Sequence, residues 1–203
     1  MKVLSVLANP KPAEKSASLR IHEAFVGALK AKRPDAAFEA IDVYGEEVPL
    51  LDAKTLPAFF GAAPADAETA RRMARREAIL KQFMEADVVA IASPMWNFNA
   101  PPMLKAWIDC VLVAGKTFKY AATGPVGLAT GKKAALCIAS GGVYEGALAG
   151  YDTLTPMLRT QLGFIGVTDV EVFSAPGQGA GGEKAEASTQ AAIAKAREAA
   201  AAY

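Results

Sequence analysis

Residues 93–99 read Ser-Pro-Met-Trp-Asn-Phe-Asn. Two large aromatics and a methionine alternate there with two amides. An apolar run, residues 88–93, leads in, and a helical pattern starts near Pro102. Met95, Trp96 and Phe98 offer flat apolar contact, while the backbone N–H groups around Asn97 offer donors. That combination suits a planar heteroaromatic ring with one apolar and one polar edge. Capping of the core would account for the aromatics but not for two Asn in one loop. A second cluster, Asn-Pro-Lys-Pro-Ala-Glu-Lys-Ser-Ala-Ser (residues 9–18), sets Ser16 and Ser18 directly before a helix. Hydroxyls and unpaired N–H groups at a helix start bind phosphate. Taken alone, that loop is better explained by ordinary capping, with Ser18 as N-cap. The third cluster is Ala139-Ser140-Gly141-Gly142-Val143-Tyr144. Two glycines let a backbone approach a ligand closely, although a simple turn fits equally well. A phosphate end, a flat apolar contact and a close backbone are together what flavin mononucleotide (FMN) requires.

Other chemistries lack their residues. The one His, His22, sits on a predicted helix beside Arg20 and Glu23 and reads as a surface residue. Cys110 and Cys137 lie in apolar runs without zinc or disulfide spacing and read as buried packing. A catalytic triad or a metal centre is hard to build from these, so the hard chemistry falls to a cofactor. Gly-Gln-Gly-Ala-Gly-Gly (177–182) fits a dinucleotide fingerprint, but no strand follows to complete the βαβ unit, and it reads as a flexible loop. Residues 127–134 imitate a phosphate loop with the wrong spacing and Lys133 in place of the metal-binding hydroxyl. A phospho-acceptor domain needs acids at the end of the first strand, where Leu7, Ala8, Asn9 and Pro10 supply none.

The elements that must position the three loops alternate along the chain. Apolar strand-like runs occupy residues 2–8, 38–43, 88–93, 133–139 and 169–173. Helical patterns occupy residues 19–33, 66–87, about 102–111, 151–162 and 183–203. In the second of these the apolar side holds Met73, Ile79, Leu80, Phe83 and Met84. Residues 44–64 and 114–131 read as long loops. Alternating units imply a parallel sheet with helices on both faces. Five strands in order 2-1-3-4-5 make a flavodoxin-like doubly wound α/β fold, here expected as one domain over residues 1–203. Ligands in such sheets bind beyond the carboxyl ends of the strands at the switch point, which lies at the loops after strands one and three. The 203 residues carry a net charge of +1 with 21% charged residues, so no basic patch argues for nucleic acid. No apolar run nears the ~20 residues of a membrane span, and residues 1–12 lack a cleavable leader's pattern. The expected location is cytoplasmic.

The chain resembles the FMN-dependent NADH-azoreductases, or NADH:quinone oxidoreductases, of the flavodoxin-like superfamily. The matching stretches are Pro94–Asn99, Leu104–Asp109, Thr117–Tyr120, Gly131–Ala134, Ser140–Gly142 and Leu162–Gly166. The resemblance implies FMN held by Asn9, Ser16, Ala17 and Ser18 at the phosphate. It implies Met95, Trp96, Asn97 and Phe98 along the ring, with Ala139, Ser140, Gly141 and Gly142 near the far edge. It implies a homodimer with each active site built partly by the second subunit, and Phe60, Tyr120 and Phe164 lining the substrate cavity. Asn9 stands where many relatives have Ser, and Ser140 where an Arg often stands.

The activity so implied is ping-pong electron transfer from NADH or NADPH, through flavin N5, to a quinone or an azo compound, with no side chain as acid or base. Two other classes are open. A flavodoxin-type electron carrier would be smaller and strongly acidic. A flavin-free binding protein would use the aromatic loop for packing.

Overall fold

A computed structural model describes all residues, 1–203. Five parallel strands form one sheet: β1 (Lys2–Leu7), β2 (Ala37–Asp42), β3 (Val88–Pro94), β6 (Lys133–Ala139) and β7 (Asp169–Ala175), in the order β2-β1-β3-β6-β7. Taken as five consecutive strands, this is the expected order 2-1-3-4-5. The central strands are apolar along their length because helices cover both faces. One face packs against α3 (Ala67–Glu85), α4 (Pro102–Val111) and α5 (Leu154–Phe164), with Ile79, Phe83, Leu104, Trp107 and Leu158 in the core. The other packs against α1 (Ala17–Lys32) and α6 (Gly182–Ala199), through Ile21, Phe25, Leu29, Ile193 and Ala196. No helix is long and apolar enough to cross a membrane.

The two expected long loops are partly structured. Residues 44–64 contain the short helix α2 (Leu56–Phe59). Residues 114–131 contain an antiparallel hairpin, β4 (Phe118–Ala121) and β5 (Gly124–Gly127), joined by two residues. The hairpin sits hard against the end of α5. A Cβ on Gly127 would lie 2.2 Å from the Gly166 nitrogen, so only glycine allows that approach. Met84, expected on the apolar side of α3, is exposed instead.

His22 also departs from expectation: it is buried, 6% exposed, and its Nε2 has no partner. The cause is the width of the covered face of α1, which is wedged between the sheet and α6. Ser18, Ile21, His22, Phe25, Val26 and Leu29 are all buried along it. Burial, with Lys30 adding repulsion, pushes the His22 pKa down from 6.5 to about 4. The folded chain therefore binds this proton less readily than the unfolded chain. The stability gained from a neutral His22 is complete above pH 6.5 and is lost as the pH falls toward 4. Its size is of order 3 kcal/mol, since each pKa unit is worth about 1.4 kcal/mol. Urea unfolding at stepped pH should show the wild type losing roughly this much more stability than His22→Leu between pH 6.5 and 4. Parallel curves would mean that His22 is protonated in place.

Candidate functional site

At the carboxyl ends of β1, β3 and β6 lies a cleft of about 390 Å³. The sheet order reverses between β1 and β3, so the splayed loops leave the opening there. Each loop is pinned before it reaches the cleft. Ala8 N–H donates to Ala92 O (2.9 Å), Met95 N–H to Ala139 O (2.7 Å), and Ser140 N–H to Ala175 O (3.2 Å).

The first wall is the β1–α1 loop and the start of α1. Asn9, Ser16, Ala17 and Ser18 all line it, together with Lys11 and Lys15. Ser16, rather than the expected Ser18, is the N-cap: its Oγ accepts from Leu19 N–H at 3.2 Å. The next two N–H groups, of Ala17 and Ser18, have no partner within the chain. Such orphaned first-turn donors carry the positive end of the helix dipole. Two lysines and no Asp or Glu line the cleft, so its field favours an anion.

The second wall is the loop after β3. Met95 is buried, Trp96 is half-buried, and both line the cleft. Trp96 and Asn99 exchange two backbone hydrogen bonds of 3.0 Å, closing a two-residue turn over Asn97 and Phe98. Both turn residues have left-handed backbone, φ 47° and 69°. This is the geometry of a type I′ turn, which usually takes Asn-Gly. Asn97 tolerates it, which explains one of the amides. Phe98 does not, at a cost of about 1–2 kcal/mol. The N–H groups of both residues are unpaired. Phe98 is held in place from outside, because its carbonyl accepts from Thr153 at the head of α5. Its ring lies on the rim rather than in the cleft, 5.8 Å from Tyr144 and 5.2 Å from Tyr151. Asn97 is exposed on the same rim.

The third wall is the glycine loop. Ala139, Ser140 and Gly141 line the cleft, whereas Gly142 lies behind them, packed on the Tyr144 ring. The Ser140 hydroxyl donates to Gly142 O (2.9 Å), so it shapes the loop and leaves the backbone to face the cleft. A Cβ at Gly141 would meet no protein atom, so the space before it is open.

Residues 177–182, expected as a flexible loop, are a fourth wall. Gln178 N–H donates to Ser140 O (2.9 Å) and Gly179 N–H to Gly141 O (2.8 Å). Gln178 and Gly179 line the cleft. A Cβ on Gly179 would come within 2.9 Å of Gly141 O, which accounts for that glycine. Sequence reasoning also passed over Lys11 and Lys15, although both flank the serine cluster.

Phe60, Tyr120 and Phe164 do not reach the cleft of their own chain. Phe60 lines a separate cavity of about 390 Å³, with Phe118 and the buried Arg76. Phe118 contacts Tyr120 (5.7 Å) and Phe164 (4.7 Å). Both thiols are buried as expected: burial pushes Cys110 up to about 12 and raises Cys137 further. Neither is available as a nucleophile.

The residues present fit FMN. The Ser18 hydroxyl, the unpaired N–H groups of Ala17 and Ser18 and two lysines would take a phosphate, and Trp96 and Met95 give the cleft an apolar side, with the unpaired N–H groups of residues 97 and 98 at its rim. The turn's strain gives a test that needs no cofactor. Phe98→Gly and Phe98→Ala remove the same ring, but only Gly relaxes the left-handed backbone. The flavin-free Gly variant should be about 1 kcal/mol more stable than the Ala variant in urea unfolding. Equal stability would mean that the turn carries no strain.

Known proteins resemble the chain over nearly its whole length. A family model described as a flavodoxin-like fold matches residues 1–200. The chain is 43% identical to FMN-dependent NADH:quinone oxidoreductase 2 of Bacillus cereus, with 97% of each chain covered. It is 42% identical over 172 residues to the FMN-dependent NADH:quinone oxidoreductase of Herminiimonas arsenicoxydans, covering 83% of each. Among solved structures, an azoreductase from Bacillus anthracis str. Sterne superposes with a TM-score of 0.90 at 36% identity, covering both chains fully. An FMN-dependent NADH-azoreductase from Bacillus anthracis str. Ames Ancestor, solved in complex with FMN, gives 0.90 at 28% identity, covering 100% of this chain and 99% of that one. With its sheet order, its cleft and these relatives, the chain belongs to the FMN-dependent NADH:quinone oxidoreductase and azoreductase family of the flavodoxin-like fold.

Proposed function

We propose that this chain is an FMN-dependent oxidoreductase that passes electrons from NADH to quinones and, by reductive cleavage, to azo compounds. The cleft carries this reading: an end rich in donors, with two lysines and no acid, and an aromatic side meet at the switch point of the sheet. Relatives named for this activity reach 43% identity over the whole chain. Bound FMN supplies the redox chemistry, taking two electrons as hydride from the nicotinamide and giving them to the acceptor.

The chain's own residues bind and orient. Ser18 and the first N–H groups of α1 hold the phosphate, with Ser16 behind them and Lys11 and Lys15 balancing its charge. Trp96 and Met95 lie against the ring. The unpaired N–H groups of Asn97 and Phe98, at the rim of the cleft, would supply preorganised donors to its polar edge. No carboxylate or imidazole lines the cleft, so protons come from solvent. Cleavage of one azo bond to two amines takes four electrons, hence two NADH and two further protons.

The exposed aromatics support a homodimer. Phe60 is 81% and Tyr120 75% exposed, and Leu50, Leu51 and Leu56 are exposed nearby. Large apolar side chains gathered in this way mark an interaction surface. In the proposed dimer, Phe60, Tyr120 and Phe164 of one chain cover the cleft of the other and bound the acceptor site. A reaction that consumes reduced nicotinamide supports a cytoplasmic location.

Donor and acceptor take turns at one open face, so double-reciprocal plots at several quinone concentrations should be parallel. Phe60→Ala should raise the quinone KM roughly three- to tenfold, the weight of one lost aromatic contact, with FMN content unchanged. Intersecting plots would rule out the shared face, and an unchanged KM would remove Phe60 from it.

A further inference from the structure

Asn9 is buried, 7% exposed, two residues beyond the end of β1. Its carboxamide orientation is fixed by a neighbour that can only donate: Lys11 N–H gives a hydrogen bond to Oδ1 at 3.1 Å. Nδ2 is therefore the end that meets Ser16, and it donates to Ser16 Oγ at 2.7 Å. Ser16 Oγ also accepts from Leu19 N–H at 3.2 Å. A serine hydroxyl has two acceptor positions and one proton. Both acceptor positions of Ser16 are thus taken, and its proton must be given away. Ser18 Oγ lies 3.2 Å from it, and that contact alone admits either direction. The occupied lone pairs of Ser16 decide it: Ser16 donates, Ser18 accepts, and the Ser18 proton is left for the cleft.

We propose that Asn9 is a positioning residue that sets the direction of this hydroxyl chain, so that the Ser18 proton is turned to the phosphate end and the site selects an ionised phosphate ester over the free alcohol. The chain runs from Lys11 N–H through Asn9 and Ser16 to Ser18. With it stand the free N–H groups of Ala17 and Ser18, so donors outnumber the one acceptor position that Ser18 keeps. An ionised phosphate has only acceptors and matches the whole set. Asn9 thereby acts through Ser16 instead of serving mainly as a phosphate ligand. The inference rests on the reading of the cleft as an FMN site.

The experiment uses the full chain stripped of flavin, titrated with FMN and separately with riboflavin, which lacks the phosphate, and read by flavin fluorescence. Asn9→Asp keeps the shape but offers Ser16 an acceptor, turning its proton inward. FMN affinity should fall at least tenfold, about the weight of one charge-assisted hydrogen bond, while riboflavin affinity stays within twofold. Asn9→Leu, which removes the donor without adding charge, should lower FMN affinity less and again spare riboflavin. Equal losses for both ligands would make Asn9 merely structural and overturn the proposal. So would unchanged FMN binding in both variants. A wild type that binds riboflavin but not FMN would overturn the proposal and the phosphate site alike. Binding of neither ligand would overturn the FMN reading as well.

Discussion

The cleft depends on the first turn of α1 keeping its N–H groups unspent. A helix always leaves donors without partners at its start, and folded chains normally cover them. Here one is covered: Leu19 N–H goes to the Ser16 cap. The donors of Ala17 and Ser18 remain free, in a cleft lined by two lysines and no acid. Leaving them open is tolerable only because the loop before them is rigid. Asn9, Lys11 and Ser16 hydrogen-bond to one another across it. The sheet then brings the aromatic turn to the same place, since β3 pairs with β1 and both run out toward the opening.

The aromatic turn shows the opposite economy. A glycine at position 98 would form the same turn without strain, yet the chain carries Phe there at φ 69°. Local backbone preference is overruled because the carbonyl of Phe98 is anchored to Thr153 and its ring to Tyr144 and Tyr151. Strain kept in place by surrounding structure is a common mark of a binding site. The turn itself leaves two adjacent N–H groups, of Asn97 and Phe98, without a partner. The same anchoring links the site to α5 and to the exposed aromatics beyond it.

Much of this was legible in the residues. Apolar runs alternating with helical periodicity identify the five parallel strands, because strands covered on both faces must be apolar throughout. The three loops of the cleft carry their chemistry in their composition. The misses have physical causes. The β4–β5 hairpin is two four-residue strands, mostly exposed and containing Gly124, Pro125 and Gly127, so it has no apolar alternation to read. His22 was expected at the surface because its neighbours Arg20 and Glu23 are charged, but it lies on the side of α1 turned to the sheet, beside Ser5 and Leu7 of β1 and Ala40 of β2. Residues 177–182 imitate a dinucleotide motif, and only the fold shows them clasped to the glycine loop as a further wall. The cap fell on Ser16 instead of Ser18 because Asn9, a long-range partner, fixes Ser16 in place. Phe60, Tyr120 and Phe164 do not line the cleft of their own chain, and Phe60 borders a separate cavity instead.

The most direct test of the account is a visible absorption spectrum of the pure protein, before and after NADH is added without oxygen. The account predicts a flavin band, present at purification or restored by added FMN, that bleaches with NADH. A protein that shows no flavin band after incubation with FMN would contradict it, and the cleft at the switch point would then serve another ligand.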